Sequence, residues 1–321
     1  DKEFKKALEK LDELGMRRLV FDLRGNSGGY LEQAAAISNL FITTRDTLVF
    51  TKGKIRESNQ VFMADPKKGR DDFSLIVLIN RGSASASEIV AGAIQDLDRG
   101  LVIGETSFGK GLVQRQLPLE GGAALRVTIA RYYTPTGRLI QRPYEDGKEH
   151  AYYRELYSLD REAKMDSLKE MRPKYFTKAG RVVYGGGGIT PDIYLPYKNK
   201  LTKDTRVVLR SAKRPLFNFG SVYVSEHPSD LYSSTHFRDE WNVSEEILTS
   251  FFEYLSSDSI IVNADSLMLD LPYLQNQIKA EIAGAAFGKD EAAVIRVRTD
   301  NQVMGALDFF NEAGGFLQSS H

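Results

Sequence analysis

Residues 18–29 read RLVFDLRGNSGG, and their reading decides the fold. Residues 18–23 combine apolar and strand-forming side chains and are expected to be a buried strand. GNSGG is turn chemistry, and residues 31–41 after it read as a helix. The same plan recurs further on: a strand over 73–79, the turn Asn80-Arg81-Gly82, and a helix from about Ser85 to Leu97. A strand feeding a glycine-containing turn that opens a helix brings unpaired backbone N–H groups and a positive helix end to one sheet edge. The alternation across residues 17–137 predicts an α/β domain. Residues 101–104, 112–119 and 123–133, also rich in strand formers, are expected to continue its sheet.

The 321 residues are 42% hydrophobic and 27% charged, enough for one large domain and a smaller one. Basic and acidic residues balance at 43 each, so no net positive field would hold a nucleic acid backbone or an anionic membrane. The absence of cysteine excludes disulfides, thiolate metal sites and cysteine nucleophiles. His150, His227, His236 and His321 all lie outside the glycine turns, which leaves a Ser-His-Asp triad or a zinc site without local support. No apolar run approaches the roughly 18 residues of a membrane span. The chain opens on Phe4, Leu8, Leu11 and Leu14 at helical spacing. A start inside a helix is expected of a trimmed piece, so the lack of a targeting segment does not decide the compartment.

Beyond the strands, residues 146–181 turn charged, and DREAKMDSLKEM (160–171) is expected to be a short exposed helix on a surface excursion. RVVY, four glycines and ITPDIYLP close the first domain near residue 199. Ser244, Glu245 and Glu246 then make a good helix start, and Ile247, Leu248, Phe251, Phe252 and Leu255 share one face. Further helices over 271–283 and 301–310 make residues 200–321 a mostly helical C-terminal domain.

Three segments could carry chemistry. RGSASASEIVAGAIQD sets Ser83, Ser85 and Ser87 at a helix entry, where a serine could attack a carbonyl while the next N–H faces the oxyanion. Read alone, this segment favours helix capping. GETSFGKG places Lys110 between two glycines. Its G-x-x-x-x-G-K spacing also suggests a phosphate-binding loop, but Gly111 stands where a magnesium-binding hydroxyl belongs and a strand follows instead of a helix. On an extended stretch Lys110, Leu112 and Gln114 share a face, so Gln114 could orient the lysine amine. A lysine serves as a base near neutral pH only where burial disfavours its charged form, and Phe108 and Leu112 are the apolar neighbours available. Gly28 or Gly29 could supply an N–H to the same oxyanion as Ala86, or could serve turn geometry alone.

Taken in order, LVFDLRGNSGG, GSASASEIVAGAIQD, IGETSFGKGLVQ and YYTPTGRLIQ resemble the C-terminal processing peptidases, or tail-specific proteases. The resemblance spans about residues 1–199, and VYGGGGITPDI looks like the Bacteroidetes-type variant. It implies a crotonase/ClpP-like core of repeated ββα units and a serine endopeptidase that works through an acyl-enzyme. Ser85 is then the nucleophile, Lys110 its general base and Gln114 the partner of Lys110, with oxyanion donors from Ala86 and the Gly28-Gly29 turn. Asp96, at the far end of the same predicted helix, matches another family position; a salt bridge, helix packing and catalysis all stay open for it.

The resemblance further implies no metal and no cofactor, and substrates that are exported polypeptides with unstructured C-terminal tails. It also implies a periplasmic or cell-envelope location, and a PDZ domain just before the segment with which this chain begins. Residues 200–321 lie outside the shared motifs and are expected to serve substrate access or assembly, for instance as a homo-oligomer. Competing readings are a retinoid-binding or acyl-CoA-handling relative on the same fold, against which Ser85 with Lys110 argues, and a scaffold whose dyad never aligns. Tricorn-type relatives need a histidine before the nucleophile, and no histidine precedes Ser85.

Overall fold

The computed structural model describes residues 2–144, 147–156, 158, 161, 164, 167, 171–198 and 201–318. The chain divides into two compact units: Asp1–Pro196 together with Gly305–His321, and Tyr197–Met304.

In the first unit α1 (Lys2–Glu13) leads into β1 (Arg18–Asp22), α2 (Leu31–Asn39), β2 (Thr47–Lys52), β3 (Val61–Met63) and β4 (Ser74–Ile79). Then come α3 (Ala86–Asp96), β5 (Leu101–Gly104), β6 (Leu112–Pro118), β7 (Ala124–Tyr133), α4 (Glu149–Leu156), β8 (Lys174–Phe176), β9 (Val182–Tyr184) and β10 (Ile193–Tyr194). β1, β4, β5 and β10 form a parallel sheet in that order. Leu75 to Ile79 of β4 are wholly buried. This is why the segment reads as a continuous apolar run instead of alternating, as a strand covered on both faces must.

The expectation that residues 101–133 extend one sheet is corrected. β5 does continue the parallel sheet, but β6 and β7 join β2 and β3 in a separate antiparallel sheet of order β3-β2-β7-β6. The break falls at the loop between Gly104 and Gly111. Gly104 has φ +125°, and a Cβ there would lie 2.1 Å from the Ile79 carbonyl oxygen, so only glycine lets the chain leave β5 at that point. β2 and β3 were not legible, because the strand that β2 joins on its other side, β7, lies far along the chain and their own alternation is short. Both sheets feed one core. Val49 of β2 and Tyr132 of β7 cluster with Val77 of β4, Ile89 and Ile94 of α3, and Phe41.

The charged stretch after residue 146 is not wholly a solvated excursion. Leu156 and Arg161 are buried, and Arg161 donates to the carbonyls of Thr106 and Ser107 at 2.7 and 2.6 Å. The Arg142 guanidinium lies 4.1 Å from the Tyr152 ring centroid and 5.1 Å from that of Phe108. Charge in this stretch is thus partly spent on holding the loop that leads to Lys110. Most of the helix expected over 160–171 lies outside the described residues.

The second unit is helical: α5 (Lys203–Arg210), α6 (Pro215–Glu226), α7 (Ser234–Asp239), α8 (Glu245–Ser257), α9 (Ala264–Met268), α10 (Leu271–Phe287) and α11 (Lys289–Val297). Thr202, Ser244 and Asn263 cap α5, α8 and α9 through their side-chain oxygens, satisfying N–H groups that a helix start leaves unpaired. Phe251 and Leu255 of α8, Leu267 of α9, and Leu274 and Ile278 of α10 form its core.

Residues 301–310 differ from the single helix expected. α12 (Asn301–Ala306) ends in a short 3-10 turn, and α13 (Phe310–Gln318) follows. Residues 305–321 belong to the first unit rather than to a C-terminal helical domain. Ala313 is buried and Gly314 faces the Ser74 hydroxyl of β4. The Phe310 and Phe316 rings lie under the guanidinium groups of Arg18 and Arg181, at 5.6 and 4.7 Å, contacts that add cation–π attraction to the apolar burial.

Phe41 is fully buried, with ring centroids of Phe4, Phe21 and Phe73 within 6.3 Å. Phe41→Ala is expected to cost the first unit about 3–5 kcal/mol, the usual range for emptying an aromatic core site, read as a lowered urea midpoint.

Candidate active site

Two turns meet at the carboxyl ends of β1 and β4, and hydrogen bonds stitch them together. The Asn80 side-chain oxygen accepts from Gly25 N–H and Gly82 N–H at 2.9 Å each, while Ala84 N–H donates to the Asn26 carbonyl at 3.0 Å. Ser83 Oγ donates to the Leu23 carbonyl at 2.8 Å and Ser87 Oγ to the Asn26 carbonyl at 2.9 Å. Two of the three serines thus spend their hydroxyls on joining the turns. The third, Ser85, stands half-buried at the entry to α3 with φ +56° and ψ −115°, a conformation that costs a non-glycine residue of order 1–3 kcal/mol and persists only where its surroundings enforce it.

Glu88 supplies that enforcement. Its carboxylate is fully buried one turn into α3 and accepts four hydrogen bonds. Oε2 takes the N–H groups of Ser85 at 2.8 Å and Lys110 at 2.9 Å. Oε1 takes Gly109 N–H at 2.6 Å and Ser107 Oγ at 2.5 Å. The Ser107 oxygen itself accepts from Ile189 N–H at 2.6 Å, so its proton points at Glu88. Burial pushes the Glu88 carboxyl up from its ordinary value, and the Ser107, Lys110, Gly109 and Ser85 donors pull it down. With its lone pairs met by donors, the group fits this setting as a carboxylate. One side chain therefore ties the main chain of Ser85 to that of Lys110. Sequence reasoning missed it, since an acidic residue in the first turn reads as helix-end chemistry.

Lys110 is half-buried in the loop after β5, and its side chain lines two cavities. One, of about 930 Å³, also holds Ser85, Ala86, Gly28, Gly29, Tyr132 and Gln114. The other, of about 1240 Å³, is walled by Phe108, Leu112, Leu139, Tyr152 and Leu156 and again reaches Gln114. The expected site residues other than Asp96 are thus brought to one place. Among the described residues, no hydrogen bond joins Lys110 Nζ to Ser85 Oγ or to the Gln114 amide. Gln114 is exposed and follows an irregularity in the β6–β7 pairing.

The geometry separates the two glycines that the sequence left as alternatives. Gly28 N–H is already donated to the Asn26 side chain at 2.9 Å, whereas among the described residues the N–H groups of Gly29 and Ala86 have no acceptor. Gly28 serves by being small. It has φ +94°, and a Cβ on it would sit 2.6 Å from Ala86 N and 2.9 Å from Ser85 Cβ.

Asp96 lies at the other end of α3, about 16 Å away by helix rise. Fully buried, it pairs with Arg138 and accepts from Thr136 N–H and Oγ1 at 3.0 and 2.6 Å. It anchors the turn after β7 and lines neither of the two cavities that Lys110 lines. No group of three metal-ligating side chains is poised to hold an ion among the described residues.

The family model described as peptidase family S41 matches residues 1–146, the segment that carries Ser85, Glu88, Lys110, Gln114 and Tyr132. Residues 1–146 are thus similar to peptidase family S41. Over 128 residues the chain is 50% identical to a carboxy-terminal-processing protease of Bartonella bacilliformis, covering 39% of this chain and 29% of that protein. Over 134 residues it is 42% identical to a carboxyl-terminal-processing protease of Synechocystis, covering 42% and 31%. It therefore spans about a third or less of the length of these relatives. A solved photosystem II D1 C-terminal processing protease aligns over 60% of this chain and 38% of its own at 30% identity, with a TM-score of 0.41. Outside the S41 segment, residues 211–288 match a family of unknown function.

Glu88→Gln would aim an amide N–H at main-chain donors that cannot turn away. It is expected to destabilise the first unit by about 1–3 kcal/mol, the cost of leaving buried polar groups unsatisfied. Chemical unfolding checks this, and Ser85 should lose its reactivity toward an acylating probe even in the folded fraction.

Proposed function

We propose that this chain is a serine endopeptidase working through Ser85 and Lys110 and acting on polypeptides. The observation that carries the reading is Ser85 itself: a strained helix-entry serine with an uncommitted neighbouring N–H, beside a lysine whose loop is bound to the same carboxylate. Lys110, as the neutral amine, would take the Ser85 proton while Oγ attacks the scissile carbonyl. The oxyanion would be met by the N–H groups of Ala86 and Gly29, donors that need no reorganisation. Lys110 would then return the proton to the departing amine, leaving an acyl-enzyme that water hydrolyses. Gln114 is the residue proposed to steer the amine.

Two cavities that share Lys110 and Gln114 suit an extended chain lying past the serine better than a small ligand held in one hole. Restriction to unstructured C-terminal tails and action in the periplasm or cell envelope are part of the proposal. They rest on the resemblance to the processing proteases, as does a PDZ domain as the usual neighbour. A homo-oligomer and a role for residues 200–304 in substrate access belong to the same proposal. Among the described residues, no helix is long and apolar enough to cross a membrane.

On a denatured polypeptide, Ser85→Ala and Lys110→Ala are each expected to lower kcat by roughly a thousandfold or more while remaining folded. Peptide release by Ser85→Ala at the unaltered rate would remove Ser85 from the mechanism.

A further inference from the structure

Tyr132 has no role in the scheme above, yet it lines the same cavity as both reacting residues. The side chain is buried, with 2% exposure, on β7. Its backbone N–H donates to the Gly111 carbonyl at 3.0 Å, which fixes the strand against the lysine loop. Its hydroxyl donates to the Lys110 carbonyl, and against the effect of burial the neighbouring Ser85 side chain draws the phenol's pKa down somewhat. Ser85, Lys110 and Tyr132 line the same cavity. A carbonyl can only accept, so the phenolic proton is committed to Lys110, and what remains for Ser85 is a phenolic lone pair. Burial and the nearby Glu88 carboxylate push the Tyr132 phenol well above its ordinary value. It stays protonated and cannot replace Lys110 as the base.

We propose that Tyr132 is a positioning residue: one hydroxyl holds the Lys110 main chain and the Ser85 hydroxyl in register, so that a rotation of the lysine side chain suffices to bring Nζ to Oγ. This rests on the peptidase reading of the site. Glu88 joins Ser85 and Lys110 through their backbones on one side, and Tyr132 joins the Lys110 backbone to the Ser85 side chain on the other. No proton leaves the phenol at any step. The Ser85 proton, lent to the Tyr132 oxygen at rest, goes to Lys110 when the amine arrives.

The test compares the unaltered chain with Tyr132→Phe, Tyr133→Phe and Ser85→Ala. Tyr133 is the control, since it stacks on Phe50 at 5.2 Å and lines neither cavity. Cleavage of a denatured polypeptide gives kcat and KM, and a fluorophosphonate gives the labelling rate of Ser85. Tyr132→Phe is expected to lose roughly tenfold or more in both kcat and labelling rate with KM within about twofold, as for an interaction that acts on the chemical step. Tyr133→Phe should match the unaltered chain. A Tyr132→Phe protein within about twofold in kcat and labelling, or one altered in KM alone, overturns the proposal.

If Tyr132→Phe does not fold, 3-fluorotyrosine at position 132 decides. The more acidic phenol accepts more weakly from Ser85, so the labelling rate should shift by about threefold or more, and an unchanged rate overturns the role. An unaltered chain that neither cleaves nor labels, like Ser85→Ala, overturns the peptidase reading itself and this inference with it.

Discussion

The first unit depends on a carboxylate with four partners. Glu88 gathers the N–H groups of Ser85, Gly109 and Lys110 and the hydroxyl of Ser107 onto two oxygens inside the protein. A buried carboxylate is tolerable only when hydrogen bonds replace its hydration, and here the replacements are what bring two distant loops together. The strain at Ser85 and the path of the loop after β5 are consequences of the same arrangement.

Around that centre the protein uses backbone more than side chains to set geometry. Ser83 and Ser87 attach their hydroxyls to the carbonyls of Leu23 and Asn26, and Gly28 lets the first turn lie directly against the second. Arg161 grips the carbonyls of Thr106 and Ser107. The Lys110 side chain, by contrast, has no hydrogen-bond partner among the described residues. A rigid frame carrying a free lysine separates stability from reactivity, because the amine can reorient without disturbing the bonds that hold its loop.

The glycine turns, the serine run and the lysine between glycines were legible because each is a local pattern with a local physical reason. So were β1, β4 and β5, whose apolar runs need no partner to be recognised, whereas β10 is too short to show one. What escaped depends on distant neighbours. Glu88 is indistinguishable in sequence from an ordinary first-turn acid, and Tyr132 reads as one more strand aromatic. The choice between Gly28 and Gly29 turns on the side chain of Asn26. The antiparallel sheet was assigned wrongly because nothing local says that β7 pairs with β2. In the second unit, short helices such as α7 and α9 carry too few turns to show a period, although their caps are visible once their starts are known.

The path of residues 305–318 bears on how the protein is made. The second unit interrupts the first in sequence, and α13, which packs on β4, leaves the ribosome only after about a hundred intervening residues have followed β10. Until then the parallel sheet lacks part of its cover. The helical unit, with its contacts nearer in sequence, is free to form sooner. The sheet that carries Ser85 thus gains its full cover only after the helical unit has been synthesised.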